Sequence, residues 1–157
     1  MNMVRILLRI VFLLITFSCV RHEEFIIQKM ENKGPIPHPT EAPDQWLLAH
    51  IDVETTGLLP GYNEMIDIGI VMTTLKGEFI DSLFLRIQPA HPERISLGAM
   101  EVNAFDPSKW EQLGALKRSV AVDSILSFHE RTAGNDHVLM VAYNSHFDAA
   151  FLDQSLI

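Results

Sequence analysis

The stretch His50-Ile51-Asp52-Val53-Glu54-Thr55-Thr56-Gly57 constrains this chain more than any other. It closes an apolar run with two carboxylates one residue apart, then turns at Thr-Thr-Gly. In a strand, residues i and i+2 point to the same face. Asp52 and Glu54 therefore project side by side, while Ile51 and Val53 face the other way into a core. Adjacent carboxylates repel unless something positive sits between them. A hard divalent cation such as Mg²⁺ or Mn²⁺ does that through oxygen ligands. A strand ending in a solvated acidic turn also reads Asp-x-Glu, so the second half of a site has to come from elsewhere in the chain.

The 157 residues suffice for one domain with a sizeable core, and 48% hydrophobic with 20% charged residues suits a globular protein. The formal net charge is −8. No basic stripe is present, which argues against a duplex-wrapping protein. An acidic chain still binds nucleic acid where metal ions meet the phosphates over a short contact. The one cysteine, Cys19, excludes an internal disulfide framework and a multi-cysteine zinc site.

Residues 1–20 are mostly apolar, with Arg5 and Arg9 near the start. The charge-free run Ile10 to Val20 is too short to span a bilayer comfortably and has signal-peptide proportions. Cys19 suggests lipidation after cleavage, but Thr16 and bulky Phe17 before it match that pattern poorly. The alternative is a start codon placed too far upstream, with Met30 opening a cytoplasmic protein that has no membrane partner. Exported or lipid-anchored protein is the competing expectation. Residues 21–44 form a Pro-rich linker, and the folded domain occupies 45–157.

Within that domain, Trp46 to Glu54, Met65 to Thr73 and Phe79 to Ile87 read as three strands joined by short turns, hence an antiparallel meander. Ser96 caps a short helix ending at Asn103, and Asp106-Pro107 starts another. Ala115 to Thr132 is an amphipathic helix with an apolar stripe of Val120, Ile125, Leu126 and Phe128. His137 to Asn144 reads as a buried parallel strand, and Phe147 to Leu156 as a helix. The layout is α/β with a mixed sheet.

Asn144-Ser145-His146-Phe147-Asp148 follows the parallel strand and opens the last helix. Ligands of α/β folds sit at the carboxyl ends of such strands. If this strand lies beside the first, Asp148 approaches Asp52 and Glu54, and three carboxylates form a metal-binding cluster.

These residues resemble a known family. Asp-Val-Glu-Thr-Thr-Gly at 52–57 is similar to the first exonuclease motif of the DEDD superfamily, and Met65-Ile66-Asp67-Ile68-Gly69 to the strand that follows it. Asn144-x-x-Phe147-Asp148-x-x-Phe151-Leu152 resembles the second motif. The spacing and the segment Glu101 to Pro107 are similar to those of ribonuclease T and oligoribonuclease, members of the DEDDh type. The resemblance covers Trp46 to the end. It implies a ribonuclease H-like fold and a two-metal 3′→5′ exonuclease acting on RNA 3′ ends or short single strands of RNA or DNA, and it extends to a homodimer. By resemblance, Asp52, Glu54 and Asp148 bind two Mg²⁺ or Mn²⁺ ions in a complete parent. The backbone around Thr55 and Thr56 then meets the terminal nucleotide's 3′ end, Leu58 presses on the last base, Phe147 stacks on one, and Gly57 and Asn144 also belong to the nucleic-acid-binding set.

The family's third motif, His followed five residues later by Asp, has no match at any of the seven histidines. The expectation is therefore a sheet incomplete at the C-terminus, with impaired turnover in this truncated chain. The competing expectation is a catalytically inactive exonuclease-fold module that binds nucleic-acid ends or a protein partner.

Overall fold

Strand β1, Trp46–Thr55, is the strand on which the others are built. Its odd-numbered residues Leu47, Ala49, Ile51, Val53 and Thr55 are buried, and its even-numbered residues are exposed or half-buried. This period-two burial is what the alternating sequence predicts. The computed structural model describes residues 35–156. The expectations for the signal-like segment and for most of the linker lie outside the described residues. Pro39–Ile157 forms one compact unit, and the elements below belong to it.

β1 pairs antiparallel with β2, Met65–Thr74, from Leu47 opposite Thr74 to Glu54 opposite Asp67. β2 pairs antiparallel with β3, Phe79–Gln88. The turn between β2 and β3 closes where Gly77 takes φ +82° and donates its N–H to the Thr74 carbonyl at 3.0 Å. A side chain there would be strained, which explains the glycine. The expected meander is the observed one.

Ser96 caps α1, Leu97–Asn103, its side chain accepting the Ala99 N–H at 3.1 Å. Asp106 caps α2, Pro107–Gln112, in the same way through the Lys109 N–H at 2.9 Å. The two-residue strand β4, Leu116–Lys117, was not expected; it pairs parallel with the end of β3. Then follow α3, Arg118–Ala133, β5, His137–Val141, and α4, Ser145–Leu156. The sheet order is β4-β3-β2-β1-β5. β5 runs parallel to β1, from His137 opposite Trp46 to Val141 opposite His50.

Two corrections concern α3 and β5. The sequence stripe placed Val120 and Leu126 inward, but both are exposed; the buried residues are Ala121, Ile125, Phe128 and Ala133. Steps of four and three residues, from Ala121 to Ile125 and on to Phe128, set that inner face. β5 lies at the edge beside β1, as the incomplete sheet expected from the sequence implies, but it is not buried: Leu139 and Val141 are exposed because only β1 flanks it. A continuous apolar run marks a strand covered on both faces only when neighbours exist to cover it.

The main core joins Leu47, Ala49, Ile51 and Val53 of β1 with Ile68, Ile70 and Met72 of β2, Ile125 and Phe128 of α3, and Phe151 of α4. A smaller cluster unites Ile66, Phe105 and Trp110. Trp110 donates its indole N–H to the Ile66 carbonyl at 3.2 Å and meets the Phe105 ring edge-on at 5.0 Å. The other face of the central strands carries His50 and Asp52, both exposed. No helix among the described residues is long and apolar enough to cross a membrane.

Phe151 is 0% exposed. Phe151→Ala should destabilise the fold by about 3–5 kcal/mol in denaturant unfolding, because the cavity lies under the strand bearing Asp52. Phe79→Ala, at an exposed position, should change stability by no more than about 0.5 kcal/mol.

Candidate functional site

The site forms where β1 outruns its parallel neighbour. β5 ends at Val141, opposite His50, so the rest of β1 has no strand on that side. Four residues later α4 begins, and its first turn carries Asp148. The Asp148 Oδ1 accepts the backbone N–H of Val53 at 3.2 Å, a contact between residues 95 positions apart. Val53 lies between Asp52 and Glu54 in the sequence, so this bond sets the third carboxylate against the strand that holds the other two.

Asp52 is exposed, Glu54 half-buried, and Asp148 buried at 5% exposure. Burial raises the Glu54 carboxyl above its usual pKa, and the charge of Asp52 raises it further. Burial also raises Asp148; the Val53 N–H and its own backbone oppose that shift, and Asp52 adds to it. Asp52 is thus the electrostatic neighbour of both others. The donor chemistry, carboxylate oxygens alone, suits a hard divalent cation. The side chains as placed do not close a cage: among the described residues no three His, Cys, Asp or Glu side chains are gathered tightly enough to hold a metal ion.

The turn after Glu54 is held from several sides. The Thr56 N–H donates to the Glu64 carbonyl at 2.8 Å, and the Thr56 hydroxyl oxygen accepts the Glu64 N–H at 2.9 Å. The Thr55 hydroxyl donates to the Gly57 carbonyl at 2.6 Å. The Thr55 carbonyl accepts from the Asn103 side chain at 2.9 Å, and the Thr56 carbonyl from the Ser96 N–H at 2.8 Å. Thr55 and Thr56 therefore spend these groups on the scaffold. Asn63 fills the inside of the turn, accepting from the Leu59 N–H at 3.0 Å and donating to the Arg94 carbonyl at 3.0 Å. A Cβ on Gly57 would lie 2.6 Å from the Asn63 side chain, so only glycine fits that position. Leu58 projects into solvent at 78% exposure.

The remaining expected residues are placed as follows. The Asn144 carbonyl accepts the Phe147 N–H at 2.8 Å, opening α4. Phe147 turns its ring toward Phe151, with centroids 4.8 Å apart, and packs against the core. His146 is exposed. His50 shares a 3.2 Å hydrogen bond with the Thr73 hydroxyl.

Sequence reasoning passed over three parts of this region. Gln154 on α4 accepts the Gly61 N–H at 2.8 Å and donates to the Asn63 carbonyl at 3.2 Å, so the helix bearing Asp148 also clamps the turn. Asn63 and Asn103 gave no pattern, since each bonds a backbone carbonyl far away in sequence, Arg94 and Thr55. Asp67 did leave a signal: a charge inside the apolar strand Met65-Ile66-Asp67-Ile68-Gly69. It stands between Glu54 on β1 and Arg86 on β3. Its Oδ1 is buried without a hydrogen-bond partner. Burial pushes its pKa up to about 6, against the pull of Arg86 and Trp110 and with a further push from Glu54.

A carboxyl whose pKa is higher folded than unfolded favours the folded state when protonated. That stabilisation is complete below the unfolded value near 3.8 and is lost as pH rises through about 6. Thermal midpoints should therefore fall between about pH 4 and 6. Asp67→Asn should remove part of that slope; an unchanged slope would show that Asp67 does not carry it.

No protein-family model matches the sequence, and no curated protein matches it significantly. Solved structures do match its fold. Exonuclease I without ligand superposes with a TM-score of 0.58 at 17% identity, over 69% of this chain and 24% of that one. The Escherichia coli enzyme in complex with a dT13 oligonucleotide gives 0.58 at 17% identity, over 68% and 22%. The zinc-bound form of its single-stranded DNA complex gives 0.59 at 17% identity, over 69% and 23%. The chain spans about a quarter of the length of these exonuclease I structures. The mixed five-stranded sheet with its helices is the ribonuclease H-like fold of that exonuclease.

Proposed function

We propose that this chain carries the nuclease centre of a metal-dependent 3′→5′ exonuclease acting on single-stranded nucleic acid. The observation that carries the reading is the hydrogen bond from the Val53 N–H to Asp148 Oδ1. It draws a carboxylate from a distant helix onto the Asp52-Val53-Glu54 strand end. The fold likeness to exonuclease I supports the same class of chemistry, and the neighbours solved with single-stranded DNA make that strand type the first to test. RNA 3′ ends are the substrate that the ribonuclease T-like motifs favour.

In this reading Asp52, Glu54 and Asp148 would hold Mg²⁺ or Mn²⁺. Bound there, the ions supply Lewis acidity at the scissile phosphate and lower the pKa of an attacking water. The chain's own residues do the rest. The Val53 N–H orients Asp148 through its Oδ1. The raised pKa values of Glu54 and Asp148 reflect burial and the charge of Asp52, a repulsion that a cation would relieve. The braced turn of Thr55, Thr56 and Gly57 holds Leu58 outward, where its side chain can press on a terminal base.

One observation favours the second reading, a module that binds nucleic-acid ends without cleaving them: the described carboxylates do not close a metal cage. A single-stranded oligonucleotide labelled at its 5′ end separates the two. The exonuclease shortens it stepwise from the 3′ end with Mg²⁺ or Mn²⁺ and stops when the ion is chelated. Asp52→Ala should lower the rate by roughly a hundredfold or more. Cleavage that survives Asp52→Ala would remove the assignment, and tight binding with no cleavage would leave the non-catalytic module.

A further inference from the structure

The face of the sheet beside the carboxylates carries a feature that this chemistry leaves unused. Asp52 of β1 stands opposite Gly69 of β2, and Gly69 opposite Phe84 of β3. Cross-strand partners share a face, so the three form one row across the sheet. Two strand spacings separate its ends, about 10 Å. Gly69 adds no side chain, and a Cβ there would meet nothing within 4 Å. A shallow gap therefore runs from the Asp52 carboxylate to the Phe84 ring, which is 57% exposed.

The adjacent row, Glu54, Asp67 and Arg86, borders that gap. The Arg86 guanidinium lies 4.9 Å from the centroid of the Phe84 ring and 5.8 Å from that of Trp110. Its Nε is buried without a partner. Asp67 faces Arg86 across the strands, but no ion pair within bonding distance joins them among the described residues. Two ring faces flank the cation, and among the described residues its Nε donor has no partner.

An exposed aromatic ring, an arginine against it and an open path to a cluster of carboxylates are the parts of a single-strand platform. Any base can stack on the ring, and a guanidinium can meet a backbone phosphate. We propose that Phe84 and Arg86 bind single-stranded nucleic acid upstream of the 3′ end, Phe84 stacking on a base and Arg86 contacting a phosphate. The placement of the 3′ end at Asp52 rests on the exonuclease reading; the platform itself does not. The parts themselves favour a nucleic-acid strand over a second copy of the chain: an exposed ring face takes any base, and the cation beside it takes a phosphate.

The test uses the full chain with Mn²⁺ and a fluorescent single strand of about ten nucleotides, a length within the reach of such sites, carrying phosphorothioate linkages to slow cleavage. Phe84→Ala should weaken binding about tenfold, and Phe84→Trp should retain it. Arg86→Met should weaken binding and lower the slope of log affinity against log salt by about one. Unfolding midpoints confirm that each variant is folded. Phe84→Ala binding as tightly as the parent overturns the platform, as does a parent that does not bind. Mn²⁺ titration of Asp52→Ala separates this from the metal reading. If the variant loses ion binding while Phe84→Ala leaves strand binding intact, the platform fails and the metal site stands. If strand binding depends on Phe84 while ion binding ignores Asp52, the platform stands and the metal site fails.

Discussion

The bond between the Val53 N–H and Asp148 Oδ1 is the interaction on which this site depends. It exists because β1 is longer than β5. A strand that outlasts its neighbour leaves backbone N–H groups without a ladder partner, and a buried donor left unpaired is costly. A carboxylate from the first turn of α4 meets that need and is brought within the field of Asp52 by doing so. One contact thereby satisfies the backbone and assembles the acidic site.

That assembly stores repulsion. Glu54, Asp67 and Asp148 all have raised pKa values, with burial the largest cause at each and a neighbouring carboxylate contributing at each. Sites that perturb ionisable groups through both burial and like charge are candidates for function, since a purely structural strand end has no need of them. The bracing of the turn belongs to the same design. Asn63 from within the turn, Asn103 from α1 and Gln154 from α4 brace the loop beside the carboxylates.

Much of the fold was legible because local patterning and tertiary structure agree. Period-two alternation in β1, the Lys76-Gly77 turn and the Ser96 and Asp106 caps each carry their own physical signal. Errors arose where burial depends on what lies alongside. Val120 and Leu126 are apolar yet exposed, because Ala121 sets the inner face of α3. β5 lies at the edge as expected, and its Leu139 and Val141 are exposed where a buried strand was read. The three carboxylates were legible from motif and spacing, whereas Asn63, Asn103 and Gln154 were not, since an amide side chain bonded to distant backbone leaves no periodicity.

The sequence by itself determined the meander, the pairing of Asp52 with Glu54 on one strand face, and the position of Asp148 at a helix start, because strand and helix periodicities are local properties of the chain. Only the tertiary structure decided that Asp148 bonds to Val53, that Thr55 and Thr56 spend their polar groups on the scaffold, and that Gly69 opens a path from Asp52 to Phe84. Those outcomes follow from strand register and from the unequal lengths of β1 and β5, which bring together residues far apart in sequence and which no local pattern encodes.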